Sequence, residues 1–290
     1  MILNEWRTSK IITEEYAKDN YRIIYNLDCS KENCVIFFTS HSFYPNNTEN
    51  EIEDYLVVKD RYEWVSISQN AVLRNYAKKF IFVRDVYKQW YAKGINENIN
   101  SVQKLAEFLL CETKGLNVTT CGSSAGGYAA VLFGHLIGAE KSLNFCGQFS
   151  PELTSDDGQL FLESYQDVTE NNSYRDISTL LKSSKTPVFY YYSAKSKMNI
   201  IQHEHVKKVG GEDCPLFFVT GINSSVHGMP VTPESAIHLI SASVDLCVDL
   251  YQSCAGKNIS KFAFLAKTNG VRTAIYILYR SLCKRLKLVK

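Results

Sequence analysis

Short runs dense in β-branched and aromatic residues alternate along the chain with stretches whose apolar positions recur every three or four residues. The runs at residues 21–27, 34–39, 64–67, 80–83, 116–121, 142–149, 187–193 and 216–220 read as strands. Several are apolar throughout, the mark of strands buried on both faces of a mainly parallel sheet. Between them, residues 101–114 set Val102, Leu105, Ala106, Leu109 and Leu110 on one helical face behind Ser101, which is suited to cap the helix. Residues 125–136 and 233–251 read as helices in the same way. The alternation predicts an α/β domain in which about eight strands are covered by helices on both faces. The polar segment 152–176 interrupts it and reads as an insertion over the carboxyl edge of the sheet, so a lid is expected within residues 152–182.

The end of the chain follows another pattern. Val271, Ile275, Leu278, Leu282, Leu286 and Val289 form one stripe, and Arg280, Lys284 and Lys287 lie on another face, as in a basic amphipathic helix. The formal net charge of +2 conceals this asymmetry: residues 250–290 hold nine lysines and arginines and no acid, leaving 23 basic against 30 acidic residues and a net charge of −7 before them. The expected division is an α/β domain at 1–252 and a basic helical tail at 253–290, which suits an anionic membrane surface or, alternatively, docks on its own domain or in a dimer. The near balance of the whole chain argues against nucleic acid as a partner. With 290 residues, 45% of them hydrophobic, the chain can bury a large core, yet no stretch approaches the 18 or so apolar residues of a bilayer span. Nine cysteines, an odd number without a C-x-x-C pair, follow an N-terminus lacking the apolar core of a signal peptide. They read as free thiols in a reducing cytoplasm, with Cys34, Cys121, Cys146 and Cys247 buried in apolar runs. The expected location is cytoplasmic, with the tail peripheral on the inner face of the cell membrane.

Chemistry concentrates at Gly122-Ser123-Ser124-Ala125-Gly126, a G-x-S-x-G set directly after a strand and directly before a helix. This is the context of a nucleophile elbow, in which a tight turn exposes the serine hydroxyl, and glycines remove the Cβ atoms that would collide. No lysine follows the glycines, so a phosphate-binding loop does not fit. A serine nucleophile needs a base, and His227 lies in the loop after the last strand, where this architecture supplies one. His135 and His238 fall in helical patterns and read as structural. His203 and His205 flank Glu204 without H-E-x-x-H spacing, and no metal site is expected. For the oxyanion, the N–H of Ala125 is the first expected donor, and the backbone at His41 or Ser42, where an early strand ends, is the second.

The elbow GSSAGGYAAVLFG, with FVRDVYKQWY at 82–91 and YYYSAKSKMNIIQ at 190–202, resembles the α/β-hydrolase proteins found with bacterial surface-polysaccharide genes, capsular polysaccharide O-acetyltransferases among them. The resemblance covers about residues 20–250, and only the elbow and the late histidine are specific. It implies the α/β-hydrolase fold, a Ser-Asp-His triad, and esterase or acyl-transfer chemistry on glycan hydroxyls through an acyl-serine, with Ser124 as nucleophile and His227 as base. It implies no permanently bound cofactor, and an acyl donor such as acetyl-CoA as cosubstrate. The chain departs from the pattern at the acid, where Asn199 stands in place of aspartate. Asparagine can orient an imidazole but does not stabilise imidazolium. Three outcomes stay open: Glu204, Asp213 or the Asp156-Asp157 pair supplies the carboxylate; the enzyme works as a slower dyad; or the chain is a catalytically degenerate glycan-binding or scaffolding member. Arg84-Asp85 and Trp90-Tyr91 read either as sugar contacts or as a buried ion pair among core aromatics.

Overall fold

The apolar runs become strands because they can be covered on both sides. The computed structural model describes residues 5–44, 46–154, 174–254 and 257–285. Its strands are β1 (Tyr21–Tyr25), β2 (Asn33–Phe38), β3 (Lys79–Val83), β4 (Asn117–Ser123), β5 (Lys141–Phe145), β6 (Val188–Ser193) and β7 (Phe217–Ile222). They form one sheet in the order β1-β3-β2-β4-β5-β6-β7, parallel except for β1, which runs antiparallel to β3. Helices of nine or more residues are numbered α1 (Val102–Glu112), α2 (Ala125–Ile137), α3 (Lys197–Lys208), α4 (Pro233–Ser241), α5 (Val244–Cys254), α6 (Lys261–Asn269) and α7 (Val271–Arg285). Successive β2 residues turn to opposite faces, as strand geometry requires. Ile36 and Phe38 pack with α1, α2 and α3, while Val35 and Phe37 join the cluster that holds α4, α5 and α6. With the fourth strand leading into the serine turn, this is the α/β-hydrolase fold.

Seven strands are found among the described residues, not eight. The run at 64–67 is one helical turn, Val65–Ser68, entered through a left-handed Trp64 whose ring stacks on Phe37 at 5.6 Å. Four residues of mixed apolar and polar character fit a helical turn as well as a strand. The helix expected at 233–251 is two, because Ala242 is extended (φ −72°, ψ 151°). Cys34, Cys121, Cys146 and Cys247 are buried free thiols, as expected. Of the expected lid, residues 155–173 lie outside the described residues, while Ile177 and Leu181, in the 3₁₀ turn Ile177–Lys182, are buried against the core.

The boundary expected after residue 252 is crossed by the core. Ile259 bridges to Ile222 at the edge of the sheet, donating its N–H to Gly221 O at 2.9 Å. Beyond it, α6 buries Phe264 and Leu265, and Phe264 meets the Tyr191 ring at 5.5 Å. Thr268 on α6 also hydrogen-bonds Ser235 on α4 at 2.9 Å. The basic residues of this segment occupy the solvent side of a packed helix, which the charge count could not reveal. Only α7 fits the expected tail: Val271, Ile275, Leu278 and Leu282 are exposed while Ala274 is buried. Phe264→Ala is therefore expected to cost about 3–5 kcal/mol, the usual range for emptying a buried aromatic site. Urea denaturation checks this. Ending the chain before Lys257 should yield unfolded or insoluble protein, whereas ending it after Asn269 should leave the domain folded.

Candidate active site

Three chain crossings at the carboxyl edge of the sheet bring the site together. Ser124 follows β4 with φ 55° and ψ −123°, a conformation L-residues rarely adopt, and the turn carries the chain straight into α2. The glycines make the turn possible. A Cβ on Gly122 would lie 2.0 Å from Gly126 O, and one on Gly126 would lie 2.3 Å from Phe38 O. Ala125 is the first residue of α2, so its N–H has no acceptor within the helix.

His227, in the loop after β7, has Nε2 2.8 Å from Ser124 Oγ. Its Nδ1 lies 2.7 Å from Oδ1 of Asn199, which is buried in the first turn of α3 behind β6. The amide Nδ2 of Asn199 is buried, and its hydrogen-bonding neighbour among the described residues is the Cys146 thiol. Burial pushes the His227 pKa below its ordinary 6.5, so the ring is neutral at pH 7 and free to accept a proton. Serine hydroxyl, neutral imidazole and amide oxygen thus stand in one hydrogen-bonded line, the arrangement that activates a serine for attack on an acyl carbon.

No family model matches the chain, and no curated protein does. Solved structures resemble it. The capsule O-acetyltransferase of Neisseria meningitidis serogroup A superposes with a TM-score of 0.49 at 13% identity, over 72% of this chain and 85% of that one. The acylaminoacyl peptidase of Pyrococcus horikoshii gives 0.45 at 15% identity, over 71% of this chain and 35% of that one. The MPT51 protein of Mycobacterium tuberculosis gives 0.44 at 11%, over 81% and 92%. Likenesses this distant assign no activity, and the functional reading rests on the chain's own residues.

The other expected residues fall less uniformly. Glu204 and Asp213 are exposed, and neither partners His227 Nδ1, which is taken by Asn199; Asp156 and Asp157 lie outside the described residues. The Ser42 N–H, one of the two expected second oxyanion donors, is committed to Ser40 Oγ at 3.1 Å, which closes a short turn after β2. The His41 ring lies edge-on to Trp90 at 4.0 Å, and burial holds its pKa well below 6.5. Trp90 and Tyr91 are buried, so they offer no surface for stacking a sugar. Arg84 is buried too, paired not with its neighbour Asp85 but with Glu15 at 3.2 Å and Asp60 at 2.9 Å. His203 stacks on Tyr192, and His205 bonds Asp176 at 2.7 Å.

Two residues absent from the sequence reading complete the site. Glu63 accepts hydrogen bonds from the Ser40 N–H at 2.7 Å and from the Ser40 hydroxyl at 3.1 Å, and burial raises its carboxyl pKa. It faces an open cavity of about 630 Å³ beside Ser124 and His227, lined also by Arg61, Trp64 and Ser66. Gln148, two residues beyond the strained Cys146 that follows β5, donates from Nε2 to Ser124 Oγ at 3.1 Å. Its place at the carboxyl end of the strand beside β4 was a signal that position alone could have given.

Proposed function

We propose that the chain is a serine-dependent acyl-transfer enzyme, an O-acetyltransferase or O-acetyl esterase acting on glycan hydroxyls of bacterial surface polysaccharide. The observation that carries the proposal is the Ser124–His227 hydrogen bond at a strained elbow that opens α2. In the first half-reaction Ser124 Oγ attacks the carbonyl carbon of an acyl ester or thioester, and its proton passes to His227 Nε2. The tetrahedral oxyanion is held by the Ala125 N–H and by a second donor from the His41 backbone. As the carbon–oxygen or carbon–sulfur bond breaks, His227 returns the proton to the leaving group. A glycan hydroxyl or water then attacks the acyl-serine, giving its proton to His227 and regenerating the Ser124 hydroxyl. The cavity suits a sugar, because a carboxylate, a guanidinium, hydroxyls and one indole converge on it. Acetyl-CoA is the donor to test for transfer. Incubation with p-nitrophenyl acetate should give a burst of nitrophenol and one added acetyl group on the peptide carrying Ser124. Hydrolysis without acylation of that peptide would contradict the mechanism.

A second part of the proposal concerns α7. Among the described residues no helix is long and apolar enough to cross a membrane. The exposed Val271, Ile275, Leu278 and Leu282 with Arg272 and Arg280 suit an anionic bilayer surface, which attracts each nearby basic residue by about 1 kcal/mol. Full-length protein is expected to sediment with anionic but not neutral vesicles, and to be released by salt, because exposed charges are screened over about 10 Å at 0.1 M. Removal of residues 271–290 should abolish binding. Equal sedimentation of both forms would assign this face to another partner.

A further inference from the structure

An aspartate beside the catalytic histidine can only accept a hydrogen bond, and this fixes which ring nitrogen carries the proton. Asn199 has no such polarity, since its amide can present oxygen or nitrogen to His227. The structure supplies direction from the opposite end of the line. The Trp90 indole N–H, which can only donate, lies 3.3 Å from Gln148 Oε1. That contact turns the Gln148 carboxamide so that Nε2 is the group 3.1 Å from Ser124 Oγ. Gln148 therefore offers the serine proton no acceptor, and the acceptor left for it in the line is His227 Nε2, 2.8 Å away. Nε2 must then be bare, Nδ1 carries the ring proton, and Asn199 must offer Oδ1 to it at 2.7 Å.

We infer that Trp90 and Gln148 set the tautomer of His227 from the serine side, a task the third member of a Ser-His-Asp triad performs from the other. Gln148 touches the reacting oxygen and is a catalytic residue, whereas Trp90 acts through it and is a positioning residue. This gives a purpose to the segment at 84–91 that the resemblance picked out. Trp90 and Tyr91 both hold positive φ, 52° and 64°, which is costly in two successive non-glycine residues. Asp85, buried at the base of the loop, holds it there by accepting the N–H groups of Gln89 at 2.6 Å and Tyr91 at 2.9 Å. The strained loop aims the indole at Gln148, and both residues are buried, so the relay is shielded from water that would blur its direction.

The inference rests on the reading of Ser124 and His227 as a catalytic pair, and its test includes a readout that needs no turnover. Nitrogen-15 NMR of labelled histidine reports which ring nitrogen of His227 is protonated. The wild type is expected to show the Nδ1–H form, and Gln148→Leu and Trp90→Phe to show a mixture with the Nε2–H form. In parallel, Gln148→Leu should lower kcat on an acetyl ester by about tenfold to a hundredfold, the effect of the productive Nδ1–H tautomer falling to a minor share, with KM little changed. In the Asn199→Asp background the same change should cost less than about threefold, because the carboxylate then imposes the tautomer itself. Gln148→Leu keeps the shape of the side chain, and Trp90→Phe supplies a second route should that variant fold poorly. An unchanged tautomer in both variants, or equal losses in the two backgrounds, would overturn the inference while leaving Ser124 as nucleophile. A wild type that turns over no ester yet shows the tautomer shift would refute the acyl-transfer reading and leave the relay standing.

Discussion

Ser124→Ala is expected to lower the turnover of a small acetyl ester by about 10³- to 10⁶-fold while leaving the melting curve little changed. The size follows from the chemistry, since without Oγ no acyl-enzyme forms. The mild effect on folding follows from the position: the side chain fills little space, and the strained turn at φ 55° is held by backbone packing against Gly122 and Gly126. His227→Ala should lose nearly as much, and the double variant little more than either, because the two act as one unit. Steady-state kinetics on the purified, folded variants checks this. Substantial activity in either would show that hydrolysis runs elsewhere on the protein.

Asn199→Asp is expected to raise kcat/KM by about tenfold to a hundredfold, as a carboxylate stabilises the imidazolium that forms in the transition state. The full penalty known for the opposite change in serine proteases includes a wrong tautomer, which is already corrected here. The substitution also converts the buried Nδ2, which faces the Cys146 thiol, into an oxygen that can accept from that thiol. Its pH signature has a definite sign. Activity needs neutral His227, and burial holds that pKa below 6.5, so wild-type activity should rise with pH and have its midpoint on the acid side of an ordinary histidine. A neighbouring carboxylate favours the charged ring and raises the pKa, moving the rise to higher pH. A pH profile of kcat/KM for both proteins measures this, and a folded Asn199→Asp variant with lower activity and an unmoved profile would contradict it.

What the sequence disclosed and what it concealed divide along physical lines. The core strands were legible because strands such as β2 and β3 are apolar along their length, and the elbow was legible because Gly122 is dictated by a clash of 2.0 Å with Gly126 O within the motif itself. His227 was legible by its place after the last strand, and Asn199 through the resemblance, which sets an acid after β6. Trp64 to Ile67 misled because one helical turn and a short strand share the same pattern. The partners of Trp90 and Gln148 were hidden, since they depend on the parallel register of β4 with β5 and on two left-handed residues with no glycine to announce them. The C-terminal segment misled for another reason. Its basic residues suggested a detached tail, but α6 carries Lys261 and Lys267 on its outer side and puts Phe264 and Leu265 in the core.

The central claim is that Ser124 is an activated nucleophile, and reaction with a fluorophosphonate followed by peptide mass spectrometry tests it most directly. The account predicts stoichiometric labelling of Ser124 in the native protein, lost on denaturation and strongly slowed by His227→Ala. A native protein that stays unlabelled, or one labelled at a residue other than Ser124, would contradict it.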